Sequence, residues 1–320
     1  MRPQRLERLV IVGLPRSGTT LVATLLAAQA GIHFLTDYFS AFADARVRLG
    51  QAWNAPLSLS ERRIALALVR DQFLRVRHAV LIRPEDFDTL DGLHAAVLGE
   101  LAAETDLWAG HKLLLDSKWL RAFLAETSVY CLILFRDPRD AALSYFHRTG
   151  GGVERYLRNW SQTVRLWHEL RDHPRLLGLR FEDLVSDPDE SIARLGQWLR
   201  HPLENVPELH FQRTRAHGAI QWKENSAFRD VTARFDRRPV GRWQTCLESP
   251  IVRYASWVTR AEQELLGYDT ETVQIPPRDR LRFSCLGALD LGERELHEKL
   301  GSAARWLRQR LSPHKSGWGG

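Results

Sequence analysis

The first part of the chain pairs a short apolar run with a longer apolar stretch, which predicts a strand followed by a helix. Residues 9–12 are a short apolar run that ends at Gly13. A run of this kind is typical of a buried parallel strand. Residues 21–28 contain no glycine or proline and form a stretch that is too long for a strand, so they predict a helix. The segment is therefore predicted to fold as a strand, a tight loop and a buried helix.

The same alternation continues further along the chain. Apolar runs predict strands at residues 110–115, 129–135 and 176–181, and helices are predicted at residues 117–126 and from Asp187 onward. Strands that alternate with helices indicate a parallel, doubly wound sheet whose ligands bind at the carboxyl ends of the strands. We therefore expect an α/β fold in which helices flank such a sheet.

The chain shows no internal repeat and no domain boundary, so residues 1–320 are predicted to form a single domain. Residues from about 45 to 108 are predicted to be a helical insertion, which either caps a substrate site or is purely structural. The segment from about 270 to 320 is predicted to be a C-terminal helical extension, because apolar residues line one face of a helix there.

The loop after the first predicted strand has the spacing of an anion-binding site. Glycines at 13 and 18 are followed by Thr19 and Thr20, which nearly reproduces the nucleotide-binding P-loop G-x-x-x-x-G-K-[ST]. Thr19 stands where the phosphate-binding lysine is expected, and the cationic residue of the loop is Arg16 instead. A triphosphate needs that lysine and a magnesium site, so hydrolysis of ATP or GTP fits poorly. A smaller 5′ anion is expected on Arg16, Ser17, Gly18, Thr19 and Thr20.

A second candidate anion site follows the predicted strand at 129–135. Arg136 stands at the end of this strand, and Ser144 lies eight residues later in a predicted helix. Arginine offers a planar pair of donors to a phosphate, and serine adds a hydroxyl donor. This pair is therefore predicted to bind a second phosphate at the same sheet edge.

Composition narrows the classes of function. The net charge of +6 and the pI of about 9.5 suit a polyanionic ligand, but no basic tract interleaved with aromatics indicates nucleic acid. Three widely spaced cysteines predict a cytoplasmic protein without disulfides. No segment approaches the ~18 apolar residues of a membrane span. Only five of the basic residues are lysines, which draws attention to Lys112.

The letters PRSGTT resemble the 5′-phosphosulfate loop of sulfotransferases that use 3′-phosphoadenosine 5′-phosphosulfate (PAPS). The arginine and the following Leu21 look most like the tyrosylprotein sulfotransferases and their bacterial relatives. The Arg136–Ser144 spacing resembles the family's 3′-phosphate motif, and RFEDLVSDP resembles its YEDL segment with Phe181 in place of tyrosine. The resemblance runs in pieces from about residue 9 to residue 269.

This resemblance implies a sulfotransferase that moves the sulfuryl group of PAPS to a hydroxyl or amine by in-line displacement. It implies PAPS as co-substrate, no metal, and a small molecule, glycan or peptide as acceptor. The family's lid over the nucleotide supplies basic residues, and the loosely matching candidates here are Arg237 and Arg238. The sequence gives no indication of the oligomeric state.

The catalytic base has three candidates, of which His33 is the weakest, and the leaving-group cation has two. In the tyrosylprotein enzymes a glutamate lies about twenty-one residues past the loop arginine, and here that spacing from Arg16 reaches Asp37. His111 competes with Asp37, because cytosolic relatives use a histidine near a lysine. For the cation, Lys112 competes with Arg16, since a compact ammonium stabilises charge that grows on the leaving oxygen.

Two other functions stay open at this point. A P-loop kinase that acts on a small molecule would use the same fold, although the missing loop lysine argues against it. A non-catalytic nucleotide-binding protein would keep both anion sites without needing Asp37 or Lys112.

Overall fold

The computed structural model of the protein describes residues 6–75, 79–113, 117–150, 152–206, 209–210, 232–233, 235 and 237–279. Five parallel strands form one sheet in the order β2-β3-β1-β4-β5. The strands are β1 (Glu7–Gly13), β2 (Ile32–Tyr38), β3 (Trp108–Leu113), β4 (Tyr130–Phe135) and β5 (Leu176–Arg180). The α/β class and the parallel sheet predicted from the sequence are confirmed.

Helices connect the strands and cover both faces of the sheet. They are α1 (Thr19–Ala27), α2 (Ala41–Leu49), α3 (Leu59–Arg75), α4 (Leu90–Leu101), α5 (Ser117–Glu126), α6 (Pro138–Thr149), α7 (Val153–Leu170), α8 (Phe181–Ser186), α9 (Pro188–Leu199), α10 (Pro250–Val258) and α11 (Arg260–Leu265). Asp187 begins α9 as predicted, because its carboxylate accepts a hydrogen bond from the Glu190 N–H at 3.0 Å.

The side chains of β1 alternate between two apolar cores, one on each face of the sheet. Val10 and Val12 pack with residues of α3 and α4 in the first core, whereas Leu9 and Ile11 pack with α1 and α9 in the second. A strand that is buried on both faces needs apolar residues at every position, which explains the continuous run in the sequence. The doubly wound arrangement follows from this two-sided burial.

The edge strand β2 was not predicted from the sequence. Its letters IHFLTDY mix polar and apolar residues, and it pairs only with β3. Its register with β3 shifts between Leu35, which pairs with His111, and Tyr38, which pairs with Lys112. Two residues, Thr36 and Asp37, are therefore extra on β2, as in a β-bulge. Asp37 is thus an unpaired residue of the bulge, next in sequence to Tyr38, which pairs with Lys112.

The predicted insertion corresponds to α2, α3 and α4, which lie between β2 and β3. Residues 280–320 of the predicted C-terminal extension lie outside the described residues. A two-residue antiparallel pair, Leu209–His210 with Thr232–Ala233, flanks a segment that also lies outside them. In the described ranges, no helix combines the length and apolar character needed to cross a membrane.

A glycine substitution in β3 tests how closely this strand packs against β1 and β2. A Cβ atom at Gly110 would lie 2.2 Å from the Leu9 carbonyl oxygen and 2.7 Å from the Phe34 ring. We expect Gly110→Ala to lower the free energy of unfolding by about 3 kcal/mol, because both neighbours belong to the packed sheet. Urea denaturation of the purified protein measures this change.

Gly99→Ala in α4 is the matched control. A Cβ atom at Gly99 has no neighbour within 4 Å among the described atoms. Alanine should therefore raise the free energy of unfolding by about 0.5–1 kcal/mol, since it favours the helix more than glycine does. Equal effects of the two substitutions would contradict the close packing at Gly110.

Candidate functional site

The P-loop connects β1 to α1 at the carboxyl edge of the sheet. Arg16 and Gly18 have φ values of 75° and 91°, in the left-handed region. Gly18 also has no room for a side chain, because a Cβ atom would lie 2.5 Å from the Phe181 ring. The loop is closed by the Ser17 hydroxyl, which donates to the Leu14 carbonyl oxygen at 2.7 Å. No described side chain caps the N-terminus of α1, where the helix dipole favours an anion.

Arg16 and Arg136 join the two predicted anion sites in one hydrogen-bond network. The Arg16 Nε donates to the Ser144 hydroxyl at 2.8 Å, and the Arg136 guanidinium donates to the Arg16 carbonyl oxygen at 3.1 Å. Arg136 also donates to the Pro239 carbonyl oxygen at 2.7 Å and stacks on the Phe181 ring, 5.0 Å from its centroid. The structure therefore brings Arg16, Arg136 and Ser144 together.

The Nε atom of Arg136 is a buried hydrogen-bond donor that a bound ligand could contact. Arg136 is 6% exposed, and its buried Nε has no hydrogen-bond partner among the described residues. A buried donor of this kind is costly unless it is satisfied. A phosphate oxygen next to the guanidinium would supply the acceptor.

The turn after β4 is held by ion pairs within RDPRD. Asp137 caps α6 by accepting from the Arg139 N–H, and its carboxylate forms an ion pair with the Arg139 guanidinium at 2.6 Å. Arg139 lies 3.5 Å from the centroid of Trp243. Asp140 accepts from the N–H groups of Gly241 and Trp243, both at 2.8 Å. These contacts fasten the segment after Pro239 to the start of α6 and so fix the carbonyl that Arg136 contacts.

Lys112 extends from β3 toward α1. Its side chain is buried, and its Nζ donates to the Thr20 hydroxyl at 3.3 Å. Thr20 is in the first turn of the helix that follows the P-loop, so the ammonium lies next to the predicted 5′ site. The sequence reasoning placed Lys112 near the site by resemblance, and the structure brings it to Thr20.

His111 extends to the opposite face of the sheet from Lys112, because neighbouring residues of a strand alternate. Its Nε2 lies 2.9 Å from the His94 Nε2, and Phe39 and Phe42 pack against its ring. Burial lowers the pKa of His111 to about 4. The structure does not bring His111 to the P-loop.

The other candidates have different surroundings. The backbone of Asp37 belongs to β2, and its side chain lies outside the described part of the chain. Arg237 donates to the carbonyl oxygens of Val185 and Ser186 at the end of α8. Arg238 is exposed. The structure thus shows no contact of Arg237 with Arg136 or Ser144 among the described hydrogen bonds.

Glu182 was missed by the sequence reasoning and lies next to this site. Its carboxylate accepts from the Asp137 N–H and from the Tyr268 hydroxyl, both at 2.9 Å. Burial raises the pKa of Glu182 to about 7. Its position in the sequence could have indicated this, because Glu182 follows a predicted strand and ligand-binding residues of parallel sheets lie after the strand ends.

Comparisons with known proteins gave both a family match and similar structures. A family model described as "Sulfotransferase family" matches residues 8–205. The structure of the sulfotransferase domain from the curacin biosynthetic pathway aligns with a TM-score of 0.57 at 19% identity, over 82% of this chain and 98% of that one. The sulfotransferase domain from the Synechococcus PCC 7002 olefin synthase aligns with a TM-score of 0.55 at 15% identity, over 84% and 98%. At these identities the two structures report the fold alone. A search of curated protein sequences gave no match.

A Glu182→Gln substitution tests the raised pKa of this carboxyl group. The folded state holds a proton on Glu182 up to about pH 7, whereas the unfolded chain loses it near its ordinary value of 4.5. Stability should therefore fall as pH rises through this window. Glutamine keeps similar hydrogen bonds without titrating, so the variant does not lose this stability. The free energy of unfolding of the variant minus that of wild type should therefore be about 2 kcal/mol larger at pH 8 than at pH 5.

Urea denaturation of both proteins at the two pH values measures this difference. The buried histidines titrate in both proteins and cancel in the comparison. A difference between variant and wild type that is the same at pH 5 and pH 8 would show that Glu182 does not hold the proton.

Proposed function

Because the chain belongs to the sulfotransferase family, we propose that it transfers the sulfuryl group of PAPS to a hydroxyl or amine acceptor. The observation that carries this proposal is the network of Arg16, Arg136 and Ser144, which joins the P-loop to a second anion site. Two neighbouring anion sites suit a nucleotide with acidic groups on both the 5′ and the 3′ sides of its ribose. PAPS has this chemistry.

The residues of the chain divide into two groups of donors for such a nucleotide. Arg16, Ser17, Gly18, Thr19 and Thr20 would bind the 5′-phosphosulfate at the N-terminus of α1. Arg136 and Ser144 would bind the 3′-phosphate, for which the unpartnered Nε of Arg136 is a donor in place. Arg237 and Arg238 remain proposed lid contributors, although Arg237 is bound to the end of α8 in this structure.

Lys112 is the proposed cation at the leaving oxygen. The sulfur–oxygen bond that breaks leaves negative charge on the 5′-phosphate, and a new bond forms between sulfur and the acceptor oxygen or nitrogen. An ammonium near Thr20 stabilises this charge more in the transition state than in the ground state. Arg16 of the P-loop is the second candidate, whereas Lys112 reaches the start of α1 from β3.

Asp37 is the proposed base that accepts the proton of the acceptor. Its neighbour Tyr38 pairs with Lys112 at the β-bulge, which supports this choice. His111 is less suited to the role, because both of its ring nitrogens have buried partners on the other face of the sheet.

A P-loop kinase is the second candidate, and one observation favours it. Lys112 reaches Thr20, the residue at the hydroxyl position of the P-loop pattern, and so brings a lysine to the loop from another strand. The match to the sulfotransferase family and the second anion site favour PAPS over ATP. A non-catalytic nucleotide-binding protein would bind PAPS without turnover.

Calorimetry with adenosine 3′,5′-bisphosphate and with ATP tests the proposal. We expect the bisphosphate to bind much more tightly than ATP, because only the bisphosphate has a 3′-phosphate for Arg136. Arg136→Ala should weaken bisphosphate binding by on the order of 2 kcal/mol, about 30-fold, through loss of charge-assisted hydrogen bonds. Arg83→Ala is the control, since Arg83 is an exposed arginine paired with Asp86 away from the P-loop.

Binding of ATP as tight as that of the bisphosphate, and dependent on magnesium, would favour the kinase. Tight binding of the bisphosphate without transfer from labelled PAPS to any of a panel of alcohols, phenols, amines, glycans and peptides would favour the non-catalytic alternative. An unchanged affinity in Arg136→Ala would remove Arg136 from the 3′ site.

Substitutions at Asp37 and Lys112 test the catalytic assignments. Asp37→Asn should lower kcat by about 10²–10⁴-fold through loss of the base. Lys112→Ala should lower kcat strongly with little change in nucleotide affinity, because its ammonium acts mainly in the transition state. Steady-state kinetics with labelled PAPS measure kcat, and calorimetry measures affinity. If Asp37→Asn keeps normal turnover while His111→Asn and His111→Gln both lose it, the base is His111.

A further inference from the structure

Two histidines with no direct part in the proposed reaction form a buried pair between β3 and α4. The Nε2 atoms of His94 and His111 lie 2.9 Å apart, and the His111 Nδ1 lies 2.9 Å from the Lys112 carbonyl oxygen. Both side chains are almost fully buried. The pair is therefore shielded from solvent, yet it ends on the backbone of the proposed catalytic lysine.

The direction of each hydrogen bond follows from its two ends. The Lys112 carbonyl oxygen only accepts, so the His111 Nδ1 carries the hydrogen and the His111 Nε2 accepts. His94 must then donate from Nε2, which leaves its Nδ1 as an acceptor. Arg8 matches this acceptor, because its guanidinium has only hydrogen-bond donors and lies 3.2 Å from the His94 Nδ1. All four ring nitrogens are satisfied only when both imidazoles are neutral.

Arg8 is itself held in place at the far end of this chain of bonds. It forms an ion pair with Asp91 at 3.0 Å and donates to the Ser128 hydroxyl at 2.7 Å. Asp91 and His94 belong to α4, Arg8 to β1 and His111 to β3. The chain of hydrogen bonds thus runs from the helical insertion through the centre of the sheet to Lys112.

At the His111 end, the series of hydrogen bonds restrains the peptide group that follows Lys112. The Lys112 carbonyl oxygen accepts from the His111 Nδ1 and also from the Phe39 N–H at 3.0 Å. Two donors on one carbonyl oxygen limit rotation of this peptide, and with it the direction in which the Lys112 side chain leaves β3. That side chain reaches the Thr20 hydroxyl on the other face of the sheet.

We propose that His111 is a positioning residue, which holds the Lys112 peptide through its Nδ1–H and so keeps the Lys112 ammonium at the P-loop. His94 and Arg8 orient the His111 ring for this contact. The proposal rests on the catalytic role proposed above for Lys112. It assigns a function to the histidine that competes with Asp37 as a base, and it gives the insertion helix α4 a part in the site.

Two substitutions at His111 each remove one end of the contact. The amide nitrogen of asparagine lies close to the position of the histidine Nδ1, so His111→Asn keeps the bond to Lys112 and loses the bond to His94. The amide group of glutamine reaches the position of Nε2, so His111→Gln keeps the contact with His94 and loses the bond to Lys112. A purely structural role would make the two variants similar in kcat, whereas positioning makes them differ.

We expect His111→Gln to lower kcat by about 10-fold or more, with unchanged affinity for adenosine 3′,5′-bisphosphate. His111→Asn should keep kcat near wild type. Hydrogen exchange of the Phe39 amide should be faster in His111→Gln alone, because its acceptor is less restrained. His111→Gln combined with Lys112→Ala should have the kcat of Lys112→Ala, since both act through the same ammonium.

Equal losses of kcat in both variants, or a normal kcat in His111→Gln, would overturn the proposal. If wild type transfers no sulfuryl group, the proposed function fails, and the exchange rate of the Phe39 amide alone then supports or overturns the restraint. Imidazole ¹⁵N shifts of wild-type protein give a test that needs no variant. They should show His111 protonated at Nδ1 and His94 at Nε2, and the opposite tautomer at His111 would overturn the proposal.

Discussion

The Arg136 guanidinium donates to the carbonyl oxygen of Arg16 in the P-loop and to the carbonyl oxygen of Pro239. These two acceptors lie more than a hundred residues on either side of Arg136, and no other described side chain bonds to both. Hydrogen bonds from a charged donor are about twice as strong as neutral ones, so they hold this spacing against thermal motion. The P-loop and the segment at Pro239 are therefore held relative to each other through this side chain.

The parallel sheet explains why so many chemically active residues meet at this place. The carboxyl ends of β1 and β4 lead into the P-loop and Arg136, and β5 leads into Phe181 and Glu182. Lys112 lies near the end of β3, and Asp37 near the end of β2. In a parallel sheet all these ends are at one edge, so residues distant in sequence become neighbours. Two-sided burial of β1 keeps this edge rigid.

Several buried polar groups in this protein have specific partners. Asp137 and Trp243 contact Arg139, and backbone N–H groups satisfy Asp140. The neutral pair of His94 and His111 follows the same rule, with hydrogen bonds in one direction from Arg8 to Lys112. The Arg136 Nε is one of the buried donors that lack a partner among the described residues, and the 3′-phosphate proposed for this site would supply the acceptor.

The sequence by itself determined the features that depend on short stretches of chain. The apolar run before Gly13 and the cap at Asp187 predicted β1 and the start of α9, because strand burial and helix capping are local. Only the tertiary structure decided the features that depend on distant segments. The edge strand β2 lacks an apolar run and exists through pairing with β3. The side of the sheet on which His111 lies, its pairing with His94 and the burial that raises the pKa of Glu182 all depend on helices far away in sequence.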